Sequence, residues 1–132
     1  MSFLAEFIID NSVAKVISCH FGMDQSITVN GRASQKPVGG GIIELELEST
    51  SSTEFFDWMA SPDQRKSGSV TFYRRDAMSR LKRLDFTDAL CVSYHEYFHA
   101  EGSHPMITKM KLSAREISLE DVSVVNDWNA EA

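Results

Sequence analysis

At 132 residues, with 42% hydrophobic and 24% charged side chains, the chain has the size and composition of one globular domain rather than of a disordered or fibrous segment. Its net charge of −6 argues against a nucleic-acid binder held by phosphate contacts. No run approaches the roughly 20 apolar residues of a membrane helix, so no membrane insertion is expected.

The N-terminus, MSFLAEFIID, lacks the basic region and long apolar core of a signal peptide, which points to synthesis in the cytoplasm. FLAEFIID and VAKVISCHF read as two strands, with Asp10 and Asn11 as the turn between them. Cys19 and Cys91 show no CxxC spacing and read as two reduced, buried thiols. The polar, glycine-rich VNGRASQKPVGGG, residues 29–41, is a long loop of the kind that is often functional or ordered by a partner. In IIELELES, Ile43, Leu45 and Leu47 alternate with Glu44, Glu46 and Glu48, a half-buried strand with three carboxylates on its polar face.

STSSTEFFDWMASP breaks the alternation. Ser52 or Thr53 offers an N-cap, Glu54 and Asp57 suit the first turn, and Pro62 follows the apolar residues, so one short helix is predicted over about residues 53–60. GSVTFYRR, opened by Gly68, is another strand. DAMSRLKRL is a second helical candidate, with Asp76 capping a turn before the chain becomes extended at Leu84. From Leu90 the chain alternates again, placing Leu90, Val92, Tyr94, Glu96 and Phe98 on one face and Cys91, Ser93, His95, Tyr97 and His99 on the other. AEGSHP is a turn, and KMKLSAREISL sets Met110, Leu112 and Ala114 against Lys111, Ser113 and Arg115. The sum is one mainly β domain over residues 1–132, an antiparallel barrel or sandwich of about six or seven strands with one helix, closed or stacked to hide its edges.

Within the strand that begins at Leu90 sits HEYFH, residues 95–99, which matches the zinc-protease pattern H-E-x-x-H. That chemistry needs both histidines on one helical face, where residues four apart lie about 5–6 Å from each other. On a strand the same residues are separated by about 13 Å, and Glu96 points to the opposite side. Tyrosine, phenylalanine and valine around the motif favour a strand, and a glycine–proline turn follows it. Pro105 also stands where the longer signature requires histidine. The reading is therefore a strand with no metal or other cofactor and no catalytic residue; a zinc metalloprotease is the enzyme-class alternative. His20 is isolated, Ser49 to Thr53 have no evident base, and Gly39-Gly40-Gly41 lacks the lysine of a phosphate loop.

Charge is unevenly placed. Glu44, Glu46, Glu48, Glu54 and Asp57 form an acidic block, and Arg65, Lys66, Arg74, Arg75, Arg80, Lys82 and Arg83 form a basic one. Two such surfaces on one molecule suit a head-to-tail contact that closes into a ring or propagates as a filament. Glu44, Glu46, Glu48, Arg74, Arg75, Arg80, Lys82 and Arg83 are the candidate subunit contacts.

Taken together, MSFLAEF, NGR with PVGGG, ELELEST, EFFDWMASP, VTFYRRDAMSRLKRLDFTDALCVSYHEYF, HPMITKMKLSAREISL and the near-terminal Trp128 resemble the type VI secretion tube protein family, Hcp or TssD, in a divergent short branch. The resemblance runs in order over nearly the whole chain, and the FYRRDAMSRLK…DAxCVSYHEYF block is its most specific part. It implies a β-barrel flanked by a helix, assembled as hexameric rings that stack into the inner tube of a contractile injection machine. A sheath contracts around that tube and expels it, capped by a spike protein, from a baseplate; some family members carry effectors within the ring. Secretion without a signal peptide follows. The loop residues Asn30, Gly31, Arg32, Lys36, Pro37, Gly39 and Gly40 correspond to the extended loop used between stacked rings. A phage-type tail tube protein and a monomeric module that binds through this loop are the alternatives.

Overall fold

Period-two alternation of apolar and polar side chains sets the architecture. The computed structural model describes residues 4–10, 12–24, 27–32, 41–74 and 80–126. In chain order these residues form β1 (Leu4–Ile9), β2 (Ser12–Phe21), β3 (Ile42–Glu48), α1 (Glu54–Ala60), β4 (Lys66–Tyr73), β5 (Arg80–Phe98), β6 (Met106–Leu119) and β7 (Val122–Val125). The strands are hydrogen-bonded in the order β3-β2-β1-β4-β5-β6-β7, and β3 also pairs with β6. All pairs are antiparallel. The β3–β6 pair closes β1 to β6 into a barrel, and β7 lies along the far half of β6. This is the mainly β, one-helix fold expected from the sequence.

The barrel is filled by the inward half of each strand. Phe7, Ile9, Ile43, Leu47, Val70, Leu84, Phe86 and Leu112 are fully buried. Phe7 stacks on Phe86 at 5.8 Å and meets Phe55 edge-on at 5.5 Å, which ties helix α1 to the core. Trp58 is buried as well, and its indole N–H donates to the carbonyls of Gln64 (3.0 Å) and Ala89 (3.2 Å). Thr53 occupies the N-cap position without a side-chain bond, and Ser52 Oγ accepts the Glu54 N–H at 3.1 Å instead. A second tie lies at the first turn. Glu54 accepts from Ser12 Oγ and from Lys66 Nζ (3.2 Å), and Lys66 also reaches Asp10 (3.0 Å). Only 11% of the Lys66 side chain is exposed. Burial works against its charge, but the bonds to Asp10 and Glu54 outweigh that and raise its pKa; the Lys66 bond holds Asp10 below the ordinary carboxylate range.

Three expectations are corrected. The segment RLKRL, part of the second helical candidate, is strand from Arg80 onward, four residues before the expected extension at Leu84; Asp76 lies outside the described residues. Its pairing with β4 (Tyr73 with Arg80, Phe72 with Lys82, Thr71 with Arg83) and the burial of Leu84 override the local helical preference. Gly68 does not open β4 but sits inside it. The faces of β5 also change, because a bulge between Cys91 and Ser93 leaves Val92 without a partner residue on β6. Cys91 therefore joins the core while Val92 is exposed, the reverse of uninterrupted alternation. A second bulge, opposite Lys66–Gly68, holds Asp88 at φ 52°, where its N–H donates to Ser67 Oγ at 3.1 Å.

Gly68 marks the tightest approach between β1 and β4. A Cβ there would stand 2.2 Å from the Ile8 carbonyl oxygen and 2.5 Å from Ile9 Cγ2. One of these neighbours is backbone and the other a packed core side chain, so neither can move aside cheaply. Gly68→Ala should lower stability by about 1–3 kcal/mol in urea denaturation, whereas Ser123→Ala on the exposed edge of β7 should change it by less than about 0.5 kcal/mol.

Candidate assembly surfaces

The polar half of the alternation builds one continuous surface. Outward-facing residues of β2, β3, β6 and β5 fall into register as two rows, Ser18–Glu46–Lys109–His95 and His20–Glu44–Lys111–Ser93. They line an open trough of about 560 Å³. Lys109 pairs with Glu46 at 3.2 Å, and Ser18 Oγ donates to the same carboxylate at 3.0 Å. Glu44 sits between Lys111 (3.9 Å) and His20 (3.5 Å). Lys109 also lies over the Tyr97 ring, 5.2 Å from its centroid. Each pair is exposed and worth at most about 1 kcal/mol; together they fix the pattern of charge on this face.

The predicted acidic contacts thus find partners within the chain. Glu44 and Glu46 belong to the trough, and Glu48 lies 3.1 Å from His104 Nδ1. The basic candidates divide. Arg80 pairs with Glu120 at 3.4 Å, and Glu120 also accepts the Arg83 backbone N–H at 2.9 Å, while the Arg83 side chain meets Asp85 at 2.9 Å. Arg74 and Lys82 are exposed and make no ion pair among the described residues; Arg75 lies outside them. Glu120, at φ 55° in the turn between β6 and β7, was not singled out from the sequence. It stands 40 residues from Arg80, so nothing local in the sequence signals the contact.

HEYFH lies on a strand as expected as far as Phe98, where β5 ends. His95 lines the trough, while Glu96 points the other way, where it accepts from Tyr94 Oη and from Ser49 Oγ (3.0 Å). Burial and then the Glu96 carboxylate push the Tyr94 hydroxyl pKa upward. His99 lies beyond the end of β5; its N–H donates to the Pro105 carbonyl at 2.7 Å, closing the β5–β6 hairpin. Gly102, at φ 113°, turns the chain within that hairpin. His95 and His99 are thus not paired for metal binding, and no three His, Cys, Asp or Glu side chains converge among the described residues.

Of the loop residues, Asn30, Gly31 and Arg32 are described. The Gly31 N–H donates to Thr28 O at 2.9 Å, and the Thr28 N–H donates to Arg32 O at 2.7 Å, which makes a tight turn with Gly31 at φ 83°. Lys36, Pro37, Gly39 and Gly40 lie outside the described residues. The loop is anchored at Gly41, a residue outside the set expected between stacked rings. The Gly41 carbonyl accepts the Ala114 N–H at 2.7 Å, and Asn126 Nδ2 donates to the Ala114 carbonyl at 3.0 Å. A Cβ on Gly41 would lie 2.3 Å from both Ala114 O and Asn126 Nδ2. The third glycine of PVGGG was the available signal: it permits β6 and the end of β7 to close on the loop.

A model of the hemolysin coregulated protein Hcp (TssD) family matches residues 1–129. The chain belongs to the Hcp (TssD) family. Hcp1 from Flavobacterium johnsoniae is 37% identical, with a TM-score of 0.87 over 94% of this chain and 100% of that one. Hcp1 from Salmonella typhimurium shares the fold at 14% identity, with a TM-score of 0.71 over 94% of this chain and 92% of that one. A sheath–tube complex of an extracellular contractile injection system, PVC, contains a chain matching at 17% identity and a TM-score of 0.51, over 91% of this chain and 88% of that one. No curated protein matches the sequence.

Of the two thiols of this Hcp-family chain, Cys91 is buried as expected, whereas Cys19 is half-buried at the rim of the core. Burial pushes both Cys19 and Cys91 up to about 11, so almost no thiolate forms near neutral pH. Both should react with iodoacetamide at least about 100-fold more slowly in the folded protein at pH 8 than in urea, read by mass spectrometry; equal rates would contradict the burial.

Proposed function

We propose that this chain is a structural subunit of the type VI secretion tube. Copies assemble as hexameric rings, the rings stack into the inner tube, and contraction of a surrounding sheath expels the tube. The observation that carries the reading is the full-length match to Flavobacterium johnsoniae Hcp1 at 37% identity. The closed barrel suits it, because a tube subunit works by holding its shape while neighbours bear on it. On this reading the protein is not an enzyme and needs no cofactor.

Further parts of the reading rest on family membership. The subunit is made in the cytoplasm and leaves through the apparatus rather than by a signal peptide. The partners are other copies of the chain, the spike, the sheath and the baseplate, with effectors carried in the ring lumen. The turn at Asn30–Arg32 and the loop anchored at Gly41 serve contacts between stacked rings, and Arg74 and Lys82, exposed and without ion pairs among the described residues, serve subunit contacts. A tail-tube role in a phage-like contractile particle is the second reading, favoured by the fold shared with the sheath–tube complex.

Negative-stain images of purified protein at increasing concentration test the proposal. Annular particles with six-fold averages are expected. Compact monomers at every concentration, confirmed by sedimentation at low salt, would contradict it.

A further inference from the structure

The fixed charges of the trough cancel, and its two histidines stand where a proton on either shifts the balance in the same sense. Strand by strand, β2 contributes Ser18 and His20, β3 Glu46 and Glu44, β6 Lys109 and Lys111, and β5 His95 and Ser93. With both histidines neutral, the face is therefore a negative stripe beside a positive one. His20 flanks the negative stripe, with Nδ1 3.5 Å from Glu44. His95 lies beyond the positive stripe, opposite Lys109 in the β5–β6 register. Both are exposed. The other titratable groups on this face are Tyr97, whose ring stacks 6.4 Å from that of His95, and Asp24, which lines the adjoining recess with His20 and Glu44.

We infer that the trough is a pH-switched surface for acidic polypeptide segments, which it holds below about pH 6 and releases above about pH 7. Histidine is the side chain whose charge changes between about pH 8 and 5. A charge on His20 offsets Glu44, and a charge on His95 carries the positive stripe past Lys109 onto β5. One edge of the pattern is neutralised while the other is extended, so a dipolar face becomes a positive one. The spread of the groups selects a polypeptide. Four strands span about 14 Å, so these side chains cannot converge on one small anion. An extended segment crossing the strands covers that span with about five residues and sets alternate side chains toward the trough. The whole trough lies within one chain, so the inference goes beyond the tube role and does not depend on it.

Fluorescence anisotropy of a labelled oligoaspartate, mixed with the full chain at low ionic strength, tests the switch. Affinity should be about three- to tenfold higher at about pH 5.5 than at about pH 7.5. A labelled oligolysine should show the reverse order. Substituting His20→Gln and His95→Gln together, with unchanged circular dichroism spectrum and melting temperature, should remove the oligoaspartate difference, and each single variant should lose part of it. The pair His99→Gln and His104→Gln, at the β5–β6 hairpin and outside the trough, should keep it in full. Equal oligoaspartate affinity at the two pH values would overturn the inference. So would a difference that survives loss of both trough histidines, or one that disappears with the hairpin pair.

Discussion

The pairing of β3 with β6 is the contact on which the rest of the structure depends. Seven consecutive residue pairs, Ile42 with Ser113 through Glu48 with Ile107, join strands from opposite halves of the chain. Without that pairing the sheet is open, the β3 and β6 edges are bare, and Ile43, Leu45, Leu47, Met110 and Leu112 lose the enclosed interior that buries them. Closure also brings Glu44 and Glu46 opposite Lys111 and Lys109, which builds the charged trough, and brings Gly41 against Ala114, which anchors the long loop. One interface therefore fixes the core, the polar face and the loop exit.

The helix completes what the barrel leaves open. Trp58 and Phe55 enter the core beside Phe7, and the Trp58 N–H occupies the carbonyl of Ala89 where β4 parts from β5. The Lys66 network with Asp10 and Glu54 holds the first helical turn against the β1–β2 hairpin. A rigid block results, with its polar groups satisfied: no buried side-chain nitrogen or oxygen among the described residues lacks a hydrogen-bond partner. Such a block passes strain through its packed interior rather than absorbing it.

Much of this was legible in the sequence, because strand periodicity is local. The alternation in IIELELES and KMKLSAREISL gives the right faces for β3 and β6, and the clustered signals around EFFDWMASP give the helix. What failed were features that only long-range contacts decide. The RLKRL segment has helix-favouring side chains but is drawn into β5 by β4 and by the burial of Leu84. The bulge at Val92 exchanges the expected places of Val92 and Cys91, and no period within the strand announces it. The acidic and basic blocks suggested surfaces awaiting a partner. Much of that charge is met by Lys109, Lys111 and Glu120, residues distant in sequence that the fold brings alongside, and by the pairing of Lys66 with Glu54 across the two blocks. HEYFH shows the converse: five residues match a catalytic pattern, and the strand that carries them sends His95 and Glu96 to opposite faces.

The central claim is that the β3–β6 pairing closes the barrel within the single chain. Residue-resolved hydrogen exchange tests it most directly. Amides of β3 and β6 that face each other should be among the slowest to exchange, while the amides of residues 90–98 that do not face β6 should exchange rapidly. Rapid exchange of the facing β3 and β6 amides would contradict the account.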